Sequence, residues 1–485
     1  MNAVMSVLMG CCFVQPSEAA VEKQSPAIPA GASNRSGGAL PELPRNTSGF
    51  QAYYTRLRTV PEWDQPWRIG EFADVVVTFP SHKTGFVFWH GASYIPNWVT
   101  ENGIWYNNQF VERCSVGVKE TKGCVEPMSD KQCRYSQVRI LQDNAVRKIV
   151  QWRYAPVDVE YRHPYVDPAT GWFDWVDEYY YLYPDAIATR AATLYSTEVE
   201  AFADWQESIV VHQAGRKPED NIETTAVSIG NLKGETRDYF WPETSKKPTL
   251  DGLPEQCCIQ VVNVKSPLRP FIVIPPDPGV VVGLFDKQGL HSIFRQWDHW
   301  PVSQDKNWGR EAMDDSKPSH TSLTWWKGWN PVATTGQSKT LVMLHGMTEQ
   351  RPEQLVPLAK SWLQPARISM SGEDVSFDGY DRIQRAYVFT RRNPATSTAL
   401  TFDIHAGSDT PVCHPVFVIR NWSGDTARVT FKGTAQEMAD IRQSVEAGPE
   451  QNTLVVWVPA DFVTPVQVTV KPVEKSSHQE SKGTR

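Results

Sequence analysis

Residues 148–154 read Lys-Ile-Val-Gln-Trp-Arg-Tyr and residues 188–195 read Ala-Thr-Arg-Ala-Ala-Thr-Leu-Tyr, and runs of this kind decide the fold. They are short, rich in β-branched and aromatic residues, and they alternate polar with apolar positions. Successive side chains of a strand point to opposite faces, so this alternation predicts strands. Comparable runs occupy 74–79, 85–89, 137–141, 260–264 and 454–458.

Strands of this length, separated by turn residues, predict an all-β protein. The 36 Pro and 30 Gly agree with this, because they end strands and form turns. We expect a large antiparallel β-sandwich of the supersandwich kind, followed by a smaller C-terminal β-sandwich. A β-propeller is the alternative, although no repeat of about 40–50 residues is visible, which counts against recognisable blades.

Composition and periodicity divide the chain into six predicted segments. They are a leader at 1–19, a flexible linker at 20–46, a main β-rich domain at 47–345, a helical connector at 346–380, a β-sandwich at 381–472 and a disordered tail at 473–485. Apolar spacing predicts a helix over Pro352–Leu363, or only from Pro357 onward, because proline interrupts helices. A weaker helix is predicted over Ala435–Val445.

The N-terminal residues indicate export. An apolar stretch over Ala3–Val14 contains Leu-Met-Gly-Cys11, which is similar to a lipoprotein box whose cysteine would be lipidated. Ser17-Glu-Ala19 offers a competing signal-peptidase site, and the basic residues that usually precede such a stretch are absent. The expected locations are the periplasm, the cell surface as a lipoprotein, or the medium, with membrane contact only through a lipid on Cys11.

Charge and cysteine content exclude several other classes of protein. A net charge of −7 provides no basic surface, so we expect no nucleic-acid partner. No apolar run approaches the roughly 18 residues that span a bilayer. Cysteine and histidine spacings do not match a zinc site. Cys114 with Cys124, or Cys124 with Cys133, could form a disulfide in an exported protein, and buried free thiols are the alternative.

The aromatic residues point towards carbohydrate. The chain contains 19 Trp, 19 Phe and 16 Tyr, many of them next to His, Arg, Asp or Glu. Trp and Tyr suit walls that are partly apolar and partly wet, and sugars present apolar C–H faces together with hydroxyls. The opposing interpretation is that these rings simply fill the cores of large sheets.

Three segments hold the candidate substrate-binding residues. The first contributes Trp89, His90, Trp98 and Glu101 around one loop; the second contributes Trp172, Asp174, Trp175 and Glu178; the third contributes Trp300. On the strand of the second segment, Asp174 and Glu178 share one face and Asp177 takes the other. A structural interpretation is equally open, in which Arg153 or Arg190 pairs with one of these carboxylates inside the fold.

Several long segments resemble a family of exported bacterial proteins associated with polysaccharide-degradation loci. The resemblance covers about residues 50–470 and rests on Phe88-Trp-His-Gly-Ala-Ser-Tyr-Ile-Pro96, Cys124-Val-Glu-Pro-Met-Ser-Asp-Lys-Gln-Cys-Arg-Tyr-Ser136, Trp152-Arg-Tyr-Ala155, Asp177-Glu-Tyr-Tyr-Tyr-Leu-Tyr-Pro-Asp185, Trp205-Gln-Glu-Ser208 and His299-Trp-Pro-Val302. It implies carbohydrate handling and assigns no catalytic roles. It also implies differences, since His90 stands where relatives have Arg, Gln151 where they have His, and Asn307-Trp-Gly-Arg310 where they have Asp-Gly-Arg.

The leading functional hypothesis is a polysaccharide lyase that cleaves a uronate-containing glycan by β-elimination. Arg suits the uronate carboxylate, His suits the base, and Tyr or His suits the acid. The candidates for these three roles are Arg153 or Arg310, His299 or His320, and Tyr94 or Tyr154. No cofactor or metal is required, and a structural Ca²⁺ is compatible with the abundant carboxylates and carbonyls.

Two alternatives stay open. A glycoside hydrolase would need two carboxylates about 5–10 Å apart, for which Asp174, Asp177, Glu178 and Glu101 are the candidates. A non-catalytic protein would bind a glycan on its aromatic side chains without cleaving it. In each case the expected partner is a polysaccharide or oligosaccharide.

Overall fold

The computed structural model describes residues 40–43, 49–57, 73–80, 82–108, 110–113, 121, 125–130, 132–201, 203–240, 250–285, 319–370, 372–395, 398–434 and 438–473, and the backbone alone of 295–297. Its first 21 strands are β1 (Gln51–Thr55), β2 (Asp74–Thr78), β3 (Gly85–Phe88), β4 (Pro96–Val99), β5 (Trp105–Asn107), β6 (Glu112–Arg113), β7 (Gln137–Asp143), β8 (Lys148–Tyr154), β9 (Trp175–Leu182), β10 (Ile187–Tyr195), β11 (Ala203–Asp204), β12 (Gln206–His212), β13 (Ile222–Gly230), β14 (Thr236–Phe240), β15 (Ile259–Val264), β16 (Arg269–Val273), β17 (Val281–Leu284), β18 (Arg295–Trp297), β19 (Ser319–Lys327), β20 (Ala333–Thr334) and β21 (Ser338–Thr348).

The remaining strands follow a short helical segment. They are β22 (Ile368–Met370), β23 (Val375–Asp381), β24 (Ala386–Arg391), β25 (Leu400–Ile404), β26 (Val412–Cys413), β27 (Val416–Arg420), β28 (Thr426–Lys432), β29 (Arg442–Glu446), β30 (Thr453–Trp457), β31 (Asp461–Phe462) and β32 (Val466–Val473). The α-helices are α1 (Pro218–Asn221) and α2 (Val356–Leu363), and 3-10 turns occupy His90–Ala92, Pro127–Ser129 and Pro352–Gln354. None of the described helices is long and apolar enough to cross a membrane.

Within the described residues, two large antiparallel sheets account for most of the chain before α2. One has nine strands in the order β1-β2-β3-β4-β5-β12-β19-β17, with β18 beside β19. The other has ten strands in the order β14-β13-β15-β16-β21-β10-β9-β8-β7, with β20 beside β21. Of the strands described after α2, nine form a four-stranded sheet, β22-β25-β32-β28, and a five-stranded sheet, β23-β24-β27-β30-β29, that contains one parallel pair, while β26 pairs with β31.

This architecture confirms the predicted all-β class and its sandwich form. None of the described sheets closes into a barrel, and the propeller alternative is not supported. The two large sheets share one core, in which Phe86 of one sheet packs against Tyr180 of the other. A hydrogen bond from the Trp98 indole to His345 Nδ1, at 2.9 Å, also links the two sheets inside this core.

The outer face of the ten-stranded sheet is covered in two places. Helix α2 packs its Ala359 and Trp362, together with Leu355 directly before it, on the outward side chains of β10, β15, β16 and β21. Val146 of the β7–β8 turn and Tyr183 of the β9–β10 turn pack against strands of the C-terminal sandwich. The Tyr183 hydroxyl also donates a hydrogen bond to the Gln384 carbonyl. The remainder of this face, over β7–β10, is not covered by either element.

The two predicted helices had different outcomes. The helix within Pro352–Leu363 is confirmed, and its α-helical part begins at Val356 after a 3-10 turn. The helix over Ala435–Val445 is wrong for its described part, because Arg442–Glu446 forms β29 and pairs with β30. The Gln443 side chain holds this strand by donating to the carbonyl and accepting from the amide of Ala427.

The cysteine expectation is also revised. Cys133 is a buried free thiol that donates to the carbonyl oxygen of His90 at 3.4 Å, so the Cys124–Cys133 pairing is wrong. Burial raises the pKa of this thiol well above its usual value. Cys114 and Cys124 lie outside the described residues.

Candidate functional site

Strand β9 places neighbouring carboxylates on opposite faces of the ten-stranded sheet. Asp177 points outward, where its Oδ2 accepts from Arg153 Nη1 at 2.9 Å. Glu178 points into the core and pairs with Arg190. The predicted separation of the two carboxylates is therefore confirmed, and so is the structural interpretation that an arginine would pair with one of them inside the fold, since Arg190 pairs with Glu178 there.

The inward group is a closed structural network. Glu178 Oε1 accepts from the Tyr154 hydroxyl at 2.8 Å, and its Oε2 accepts from Arg190 Nε at 2.7 Å and from the Tyr180 hydroxyl. All four side chains are buried. Burial and the neighbouring Glu178 raise the pKa of Tyr154 well above its usual value, so this hydroxyl stays protonated. Tyr154 and Glu178, proposed as acid and ligand, are thus inaccessible to a polysaccharide.

Asp174 is likewise part of the interior. Arg113 Nε donates to its Oδ2 at 2.7 Å, and both side chains are fully buried. Burial raises the pKa of Asp174, and the Arg113 charge opposes that shift. Glu101 lies in an exposed turn of the nine-stranded sheet. The carboxylate pair of a hydrolase is therefore not assembled from Asp174, Asp177, Glu178 and Glu101.

The first predicted loop is also packed inside. Trp89, Tyr94 and Trp98 are almost completely buried, which corrects the expectation that they surround an accessible loop. His90 is buried as well, with its Nδ1 at 2.6 Å from Asp74 Oδ1. Tyr94 has a φ of +63°, in the left-handed region, and burial raises the pKa of its hydroxyl. The contact between His90 and Asp74 ties the β3–β4 turn to the start of β2.

The third predicted segment is described only in part. His320 is buried in β19, where it lies opposite Val211 of β12. His299, Trp300 and Arg310 lie outside the described residues, so their roles stay predictions. Of the predicted catalytic residues that the structure describes, Arg153 alone is not buried.

We define the open face as the outward side chains of β7–β10 and β21 that neither α2 nor the C-terminal sandwich covers. At its centre Gln151 Nε2 donates to Asp177 Oδ1 at 3.0 Å and to the Tyr179 hydroxyl at 3.2 Å. Arg153 is 35 % exposed and Asp177 is 7 % exposed. The Arg153 guanidinium lies 4.9 Å from the ring centre of Trp175, in cation–π contact.

An aromatic ridge borders the open face, and we define it as Tyr135, His163, Phe173 and Trp175. His163 stacks on Phe173 with 3.5 Å between ring centres, and Phe173 stacks on Trp175 at 5.6 Å. Tyr135 meets both His163 and Trp175 edge-on. All four rings are only partly buried. Burial lowers the pKa of His163, so at neutral pH the ridge carries no charge of its own.

Trp172 extends from the turn that precedes the ridge and is 65 % exposed. The turn is held by Asp167, whose Oδ1 accepts from the amides of Ala169 and Thr170. A backbone hydrogen bond from Asp167 to the Trp172 carbonyl, at 2.7 Å, closes it. This exposed indole is therefore presented by an ordered turn, and its role as a binding residue stays a prediction.

Sequence reasoning missed several residues of this surface. Gln151 and Tyr179 follow from strand alternation once Arg153 and Asp177 are placed outward. Gln151 is also the position at which the resemblance implies His in relatives. Tyr135 and His163 come from loops, and only the tertiary fold brings them beside Trp175. No group of three metal-binding side chains occurs among the described residues, and Ca²⁺ binding stays a prediction.

Comparison with known proteins adds little to this geometry. No protein-family model matches the chain, and no curated protein matches it either. Among solved structures, a galactose 1-epimerase from Lactobacillus acidophilus NCFM aligns over 62 % of this chain and 99 % of its own, with 7 % identity and a TM-score of 0.28. At that score the alignment supports no conclusion about fold or activity.

Proposed function

We propose that this protein binds an acidic polysaccharide on the open face and cleaves it there. The observation that carries the proposal is the partly exposed aromatic ridge, which lies directly beside the Arg153 guanidinium. Rings of this kind offer apolar surface to the C–H faces of a sugar. The adjacent guanidinium offers hydrogen bonds to a uronate carboxylate.

Arg153 has donors to spare for such a ligand. A guanidinium carries five N–H groups in a planar fork, and among the described residues only Asp177 accepts a hydrogen bond from this one. The side chain is one-third exposed, so its other N–H groups can reach a ligand. Trp175 and Asp177 fix the guanidinium in place, which reduces the conformational entropy lost on binding.

The reaction that we propose is β-elimination at the uronate. Arg153 pairs with the carboxylate and so favours removal of the proton on the adjacent carbon by a base. The electron pair of that C–H bond forms a C=C bond as the bond to the glycosidic oxygen breaks, and an acid gives the leaving oxygen a proton. Tyr94, Tyr154 and His320 are buried away from the open face, so base and acid must come from other residues. Tyr179 lies on the open face, and burial raises the pKa of its hydroxyl, which keeps it protonated as an acid requires. His299 stays a predicted base.

The binding test compares one uronate polymer with one neutral polymer by isothermal titration. Arg153→Gln should lower affinity for the uronate polymer about tenfold or more and leave the neutral polymer unaffected, because a charge-assisted bidentate contact is lost. Trp175→Ala should weaken both. Arg428→Gln, at an exposed position of the C-terminal sandwich, is the matched control. Absence of uronate binding by the unaltered protein would overturn the proposed function.

The cleavage test measures the ultraviolet absorbance of an unsaturated uronate. A rise in absorbance with the uronate polymer is the expected result, and it should fall in Arg153→Gln. New reducing ends without that absorbance would replace elimination by hydrolysis. Binding without either signal would leave a glycan-binding protein and overturn the reaction.

A further inference from the structure

The open face contains a continuous polar row that runs across the strands. Register places Gln137 opposite Arg153, Arg153 opposite Asp177, Asp177 opposite Thr193, and Thr193 opposite Thr340. The row therefore takes one polar side chain from each of β7, β8, β9, β10 and β21. Each of these side chains presents hydrogen-bonding groups on the same side of the sheet.

The row is long compared with a single sugar. Neighbouring strands lie about 4.8 Å apart, so five strands extend over about 19 Å. Its members can bind hydroxyl groups along that length. Arg153 and Gln137 donate, Asp177 accepts, and the hydroxyls of Thr193 and Thr340, 2.8 Å apart, can each do both.

Structure on both sides turns the row into a shallow track. On one side Trp175 lies opposite Tyr195, an aromatic pair whose tyrosine is 44 % exposed. On the other side Ala191 and Val342 continue β10 and β21 under helix α2, which stands above the sheet. A ligand on the row would thus have rings along one flank and a helix along the other.

The described residues leave the track open at both ends. Gln137 is exposed on β7, the edge strand of the sheet. At the other end Thr340 lies opposite Ala333 of β20, which is also exposed. A chain that enters at one end can therefore continue past the other.

We propose that the open face holds the interior of an extended uronate chain, laid across the strands from β7 to β21. This inference rests on the proposed function and specifies its substrate as an internal segment of a polymer. Arg153 anchors one carboxylate, and the threonine pair binds hydroxyls further along the chain. Thr340 lies three strands from Arg153, or about 14 Å, so a disaccharide anchored at Arg153 stops short of it.

The experiment measures the affinity of a series of uronate oligomers, from the disaccharide upward, by isothermal titration. Affinity should rise with length until the oligomer spans the row. Thr340→Val should then lower affinity for the longest oligomer about threefold, the loss of one hydrogen bond, and leave the disaccharide unchanged. Thr401→Val is the matched control, because Thr401 forms the same kind of cross-strand hydroxyl pair with Thr469 in the other sandwich.

The outcomes separate this inference from the function on which it rests. A disaccharide that binds as tightly as the longest oligomer would overturn the extended track, and so would an equal effect of Thr340→Val at every length. If no oligomer binds at any length, or if Arg153→Gln changes nothing, the proposed function itself fails.

Discussion

The two adjacent carboxylates of β9, Asp177 and Glu178, allow the sharpest test of the structure. Their side chains differ by a single methylene group, yet they face opposite sides of the sheet. We consider Glu178→Gln and Asp177→Asn, each of which removes one charge with almost no change in shape. Glu178 faces the core, and Asp177 faces the open side of the same sheet. The two substitutions should therefore have opposite consequences for stability and for binding.

The magnitudes follow from burial. Glu178 is fully buried and accepts hydrogen bonds from Arg190, Tyr154 and Tyr180. An amide would leave the Arg190 charge buried without a counter-ion, and such a loss costs about 3–5 kcal/mol. The Asp177 partner is one-third exposed, so water screens that pair and Asp177→Asn should cost no more than about 1 kcal/mol.

Urea unfolding followed by tryptophan fluorescence would measure this difference, with uronate titration run on the same samples. Glu178→Gln should unfold at clearly lower urea and bind ligand normally wherever it is still folded. Asp177→Asn should unfold at almost the same urea concentration as the unaltered protein, and its affinity for the uronate ligand should change. Equal destabilisation by the two substitutions would refute the assignment of inner and outer faces.

Two further predictions concern the packing of β21 and the joint between the sandwiches, at which Asp185 pairs with Arg385 and His414 of the C-terminal sandwich. Burial raises the pKa of Asp185, but the neighbouring Arg385 and His414 outweigh burial and lower this pKa to about 2. Burial lowers the pKa of His414, but the neighbouring Asp185 outweighs burial and raises this pKa above 6.5. The joint should thus be most stable between about pH 4 and pH 6.5, and should weaken as pH rises through the His414 pKa or falls towards 2. Thermal unfolding midpoints measured against pH would test this dependence. A pH profile that is the same in His414→Gln as in the unaltered protein would contradict the role of His414. Gly346→Ala should destabilise the protein by about 1–3 kcal/mol, because the new methyl group would lie 2.5 Å from a backbone oxygen. Gly336→Ala is the control and should have little effect, because its methyl group would lie in open space. Equal unfolding midpoints for the two variants would count against the close packing of β21 on the neighbouring backbone.

Much of the strand pattern could be predicted, because alternation is a local property of the sequence. It also predicted that Asp177 and Glu178 would face opposite ways, and the structural interpretation named Arg153 and Arg190 as candidates to pair with one of these carboxylates. The incorrect helix over Ala435–Val445 shows the limit of the same reasoning. There, pairing with β30 decides the structure, and the pairing partner is not visible in the local pattern.

The candidate site was harder to predict because burial depends on distant parts of the chain. Trp98 and His90 have the polar-aromatic setting of a binding loop, yet Trp98 donates to His345, which lies 247 positions later. Burial, with the charge of Arg190, lowers the pKa of His345 to about 3, so it remains a neutral acceptor for that bond. No local signal separates such an interior Trp from Trp175, which forms part of the surface ridge.

The joint described between the two sandwiches has a consequence for how this chain could be recombined with others. Tyr183 and Val146 are buried because later strands cover the larger sandwich, and Val342 and Leu344 of β21 are buried because helix α2 covers them. A chain ending after β21 would present these apolar groups to water and should aggregate instead of folding as an independent module. An exchange with another protein should therefore move the two sandwiches together as a single unit, unlike an appended domain that can be exchanged through a linker.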